Sequence, residues 1–185
     1  MKRILALLLA MALLLCGCGG KPAASDTTPR ITPAKIDRLF EENLYCVRKL
    51  FVLGTLPYAG DPVQGEHIYP VISERFETYA ELEEYLHTVY TDAEVARLLD
   101  VGGEPIYPEV DGKLCVDTHR IGGKAYAIDW SGHTIEITEH DNNGCTFVVI
   151  GKYIEENADV DPAEYRAEGR ASFEDGKLLL EEMIV

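Results

Sequence analysis

TIEITEHDNNGCTFVVIGKY, residues 134–153, is the stretch that decides the fold. Within the strand read over 134–139, residues 134–138 alternate polar and apolar with a period of two, the pattern of a strand with one face buried. Residues 146–153 form a second strand-like run. Asn142-Asn143-Gly144 lies between them, and Asn and Gly tolerate the positive φ that tight hairpin turns require. A link this short joins antiparallel neighbours, because a parallel crossover needs a dozen residues or more.

Working outward, the same grammar repeats. Residues 113–118, 125–130, 164–173 and 178–185 read as further strands. Asp111-Gly112, Gly122-Gly123, Ser131-Gly132 and Asp175-Gly176 supply hairpin-like links. Upstream the period changes to 3.6. Thr32 followed by Pro33 is a helix start, and Ile36, Leu39, Phe40, Leu44, Val47, Leu50 and Phe51 line one face until Gly54 and Pro57 end it. Residues 58–66 read as a loop, and residues 67–75 as a short strand interrupted by Pro70. Thr78-Tyr79-Ala80-Glu81 and Thr91-Asp92-Ala93-Glu94 each place an acid three residues after a Thr, so both read as capping boxes that start a pair of short helices. Gly102-Gly103 stops the second helix. Helices first and a meander afterwards predict an α+β fold: a long N-terminal helix and a short helix pair packed on a curved antiparallel sheet, within one domain over 32–185.

The first twenty residues read differently. Lys2 and Arg3 precede an apolar run over 4–15, too short to span a bilayer, so residues 1–17 read as a secretory signal peptide. Leu15-Cys16-Gly17-Cys18 resembles the bacterial lipobox, in which the Cys after a small residue is lipidated and becomes the new N-terminus. Cys18 reads as that residue, and residues 18–31, rich in Gly, Pro, Ser and Thr, read as a flexible tether. The expected location is extracytoplasmic, at the outer face of the bacterial cell membrane, held by the lipid on Cys18 alone.

The chain carries a formal net charge of −15, and loss of Lys2 and Arg3 with the signal makes it more acidic. Such a surface repels nucleic acid and favours basic protein partners, cations or simple solubility. Cys46, Cys115 and Cys145 remain in the mature chain, too few for a disulfide framework. A Cys115–Cys145 bridge requires their strands to be adjacent.

Chemistry-bearing motifs are sparse. Of the five histidines, His67, His87, His119, His133 and His140, no two have zinc-motif spacing, and His133 and His140 stand at opposite ends of one expected strand. No Gly-Xaa-Ser-Xaa-Gly elbow occurs. Glu83-Glu84 and Glu155-Glu156 read as solvated acid pairs, and the Gly-Gly pairs lack the Lys and Ser/Thr, or the strand-to-helix context, of a phosphate loop. The expectation is a protein that is not an enzyme and uses no cofactor or metal.

Phe76-Glu77-Thr78, Leu82-Xaa-Xaa-Tyr85-Leu86, Val89-Tyr90-Thr91, Gly112-Lys113-Leu114, Gly122-Gly123 and Ile128-Asp129-Trp130 follow one another in an order that resembles the IseA family of bacterial D,L-endopeptidase inhibitors. The resemblance runs from about residue 44 to 185. It implies an exported, cystatin-like domain with no active site of its own. Such a domain binds a cysteine-dependent cell-wall endopeptidase and occludes its cleft. The loop over 117–124 is the expected contact, with Asp117, His119 and Arg120 as polar flanks and Gly122-Gly123 allowing close backbone approach. The family places an acid before the glycine pair, where this chain has Ile121. Two other readings compete: a non-catalytic binding module, expected to expose Tyr126, Trp130 and Tyr153 on a flat sheet, and an enzyme, expected to gather Asp129, His133 or Glu136 in a pocket.

Overall fold

The computed structural model describes residues 30–100, 102–120, 128–154 and 162–185. The fold is α+β, as the patterning predicts. Helix α1 (Pro33–Cys46) continues into a π-helical turn (Val47–Phe51). Strand β1 (Ile68–Pro70), helices α2 (Tyr79–Leu86) and α3 (Asp92–Leu99), and strands β2 (Glu109–Val110) and β3 (Lys113–Asp117) follow. Strands β4 (Ile128–His140), β5 (Gly144–Tyr153), β6 (Glu164–Glu174) and β7 (Lys177–Leu180) complete the described order. The last four form an antiparallel meander, β4-β5-β6-β7, and the short strands form a second sheet in the order β1-β3-β2.

The turn chemistry behaves as its residues require. Asp111 and Gly112 both have positive φ and join β2 to β3, and Asp175 and Gly176 do the same between β6 and β7. At the β4–β5 hairpin the Asp141 carboxylate accepts the backbone N–H of Asn143 at 2.7 Å and of Gly144 at 3.0 Å. Those bonds hold its carboxyl below the usual carboxylate range. Gly54 closes the first helix by close approach, since a Cβ there would come within 2.7 Å of the Arg48 carbonyl oxygen.

Five expectations are corrected. Ser131-Gly132 is not a hairpin link; β4 runs through it, with a register shift between Asp129 and Thr134. The Ser131 N–H donates to the Asp129 carboxylate at 2.8 Å, so turn-like chemistry here makes a bulge that bends one long strand. The strand expected over 178–185 stops at Leu180, and Ile184 is drawn under α1 instead. The Thr91 capping box does not form: its side chain makes no cap bond, and Glu94 turns inward to Arg97 and the Met183 N–H. The Thr78 box forms in full. Cys115 and Cys145 lie on strands of different sheets, and both, like Cys46, are free thiols. The strand expected over 67–75 is only β1, an edge strand, which is where a Pro is tolerated.

An apolar cluster joins these parts. Ile36, Phe40, Leu44 and Leu50 of the first helix pack with Trp130, Phe147 and Val149 of the sheet and with Leu82, Leu86, Val95 and Leu98 of the helix pair. The Phe40 ring meets the Trp130 ring edge-on at 5.1 Å.

Candidate functional site

Asp117, His119 and Arg120 sit where β3 ends, and local pairing explains their placement. In the β1–β3 ladder Ile68 lies opposite Asp117, so His67 and Thr118 become neighbours. Thr118 donates both its backbone N–H and its hydroxyl to the His67 carbonyl oxygen, at 2.9 and 3.0 Å. Residues Thr118–Arg120 then make one turn of 3-10 helix. The His119 N–H donates to Asp117 Oδ1 at 2.9 Å, which closes the turn on itself.

Arg120 is held by acids on two sides. Its guanidinium pairs with Glu104, from the loop after α3, and its Nε lies 4.0 Å from Asp117 Oδ2. The His67 and His119 rings stack with centroids 4.2 Å apart and planes 10° from parallel. These residues, with Ile106 and Pro108, line an open cleft of about 740 Å³. His67, Asp117 and His119 offer three ligand atoms that all lie within 4.8 Å of one another. Their spacing in the chain carries no such signal. Asp117 and His119 share one turn, and strand register, which no local motif encodes, brings His67 to them. Only an alternation match between the two strands, with His and Asp at their facing ends, would have hinted at it.

Gly122, Gly123 and Ile121, the tip of the expected contact loop, lie outside the described residues, as do Cys18, Tyr126, Glu155 and Glu156.

The residues named for a catalytic pocket are not brought together. The Asp129 carboxylate is exposed and bonded to Ser131. His133 turns toward α1, its ring 4.8 Å from that of Phe40, with its two nitrogens facing the Trp130 carbonyl at 2.8 Å and Asp37 at 2.9 Å. Glu136 makes a surface pair with Arg166 at 2.7 Å. Of the aromatics expected on a flat exposed face, Trp130 is buried and Tyr153 is exposed. Cys46, Cys115 and Cys145 are all buried, and burial pushes the Cys46 thiol up to about 11, away from the thiolate a nucleophile needs.

No helix among the described residues is long and apolar enough to cross a membrane. No protein-family model matches the chain, and no curated protein matches it.

Proposed function

We propose that this protein is a membrane-tethered, extracytoplasmic lipoprotein that binds a cysteine-dependent cell-wall D,L-endopeptidase and blocks its cleft, restraining wall autolysis. The proposal draws on the lipobox-like start, on the IseA-like motif order, and on one structural observation that supports it most. The turn carrying Asp117, His119 and Arg120 is pre-organised: Thr118 pins it to β1, Asp117 closes it, and Glu104 braces Arg120 from a third segment. A contact surface ordered before binding loses little conformational entropy on association, which is what a steric inhibitor needs. The chain is acidic, so encounter with a basic wall hydrolase is favoured electrostatically.

The domain acts in this reading by occupying space, with no bond made or broken in the partner. Wall clearance by a cysteine D,L-endopeptidase, followed as loss of turbidity against rising amounts of the protein, tests it. The expected result is a stoichiometric block that weakens with added salt and when Gly122 and Gly123 are both replaced by bulky residues. Full clearance at every ratio, across several such enzymes, would reject the inhibitor role and leave a non-catalytic binding module.

A further inference from the structure

We propose that His67, Asp117 and His119 bind one divalent transition-metal ion, with Zn²⁺ the best match to their donor set. Two imidazoles and one carboxylate are the ligand types of four-coordinate zinc sites that take three ligands from the protein, whereas Ca²⁺ and Mg²⁺ take all-oxygen cages. The three ligand atoms lie within 4.8 Å of one another. Donors about 2.1 Å from a tetrahedral ion stand roughly 3.4 Å apart, so the site closes only when a side chain turns to bring the donors together.

The surroundings say how that closure happens. An imidazole lone pair lies in the ring plane, and the two rings here are stacked nearly parallel. One ring must therefore swing out of the stack for both to point at one ion. His119 is the ring free to do so, because it is exposed on a single 3-10 turn. His67 is hemmed in: a Cβ at Gly65 would lie 3.1 Å from its ring, and its carbonyl is held twice by Thr118. Asp117 Oδ1 already accepts the His119 N–H, which orients the carboxylate and leaves Oδ2 as the ligand.

Arg120 opposes the ion, since its Nε lies 4.0 Å from that oxygen. Glu104 offsets the guanidinium charge by direct pairing. Two carboxylates against one guanidinium leave the site one negative charge, on a chain of net charge −15. The three protein ligands leave a fourth position open to the cleft, where water or a donor group from a partner completes the shell. The ion would fasten the start of β1 to the turn after β3, which is the segment leading into residues 121–127. The inference stands on these residues alone and does not depend on the inhibitor reading.

The test is isothermal titration of Zn²⁺ into the full chain, stripped with chelator and with no peptidase present. One saturable site per chain is expected. His67→Ala, His119→Ala and Asp117→Asn should each weaken it at least about tenfold, while His140→Ala, on an exposed strand end, leaves it unchanged. His119→Gln serves as a second, gentler removal of the same ligand. Circular dichroism confirms that each variant is folded, and cobalt(II) in place of zinc should give the strong visible absorption of a tetrahedral site. Absence of saturable binding, or binding that the folded His119 variants retain in full, would overturn the proposal.

Discussion

At the scale of single residues, Asn43 ties the first helix to the C-terminal segment and to Tyr90. It is fully buried on α1, at a helical position where the apolar pattern gives no warning of it. Its amide donates to the Ile184 carbonyl at 2.7 Å, and its oxygen accepts from the Ile184 N–H at 2.9 Å and the Tyr90 hydroxyl at 2.9 Å. Truncation strands three buried groups at once. Asn43→Ala should therefore lower the unfolding free energy by about 3 kcal/mol in urea denaturation, and a loss below about 1 kcal/mol would show that water takes over the role. This contact also explains why residues 181–185 misread as strand. Their apolar content suits either a sheet or a core, and only a partner 141 residues away decides between them. The cluster of His67, Asp117 and His119 is illegible for a like reason: Asp117 and His119 are near in sequence, but long-range register alone brings His67 to them.

At the scale of elements, local rules succeed where backbone chemistry is self-contained. Pro33 at the helix start, the two Asp-Gly turns and the Thr78 box are all read from four residues or fewer, and all form. The rules fail where a tertiary partner offers something better. Thr91 carries the same motif as Thr78, yet its segment is tied to the β6–β7 hairpin: the Thr91 N–H donates to the Leu180 carbonyl at 2.9 Å, and the Asp92 N–H to Glu174 at 3.0 Å. Glu94, freed from the box, is buried and pairs bidentately with Arg97. The two sites predict a contrast. Thr78→Val removes a working cap and should cost about 1 kcal/mol, whereas Thr91→Val, of equal shape, should cost under about 0.5 kcal/mol. Thermal or chemical unfolding of the two variants side by side measures the difference, and equal losses would contradict the assignment. The misread Ser131-Gly132 belongs here too. A side-chain acceptor two residues before a small residue and a Gly signals a change of direction, and direction changes both in hairpins and in bulged strands.

At the scale of the whole molecule, the chain lays helices on a bent meander and then closes the assembly with its C-terminal segment. That segment passes so close to β6 that a Cβ at Gly169 would come within 2.6 Å of Ile184. Opposite this closure in function stands the β1–β3 end, where three segments meet in one braced turn beside an open cleft. An acidic molecule with a braced polar turn is suited to dock by shape and charge, and its proposed dock is the cleft of a cysteine endopeptidase. Protection of the target's catalytic thiol tests that claim most directly. The endopeptidase is mixed with increasing amounts of the protein, and the rate at which iodoacetamide alkylates its active-site cysteine is followed by mass spectrometry. The account predicts that alkylation slows in proportion to added protein and levels off at one chain per enzyme. An alkylation rate that stays constant while the two proteins remain bound would contradict it, because the cleft would then be open.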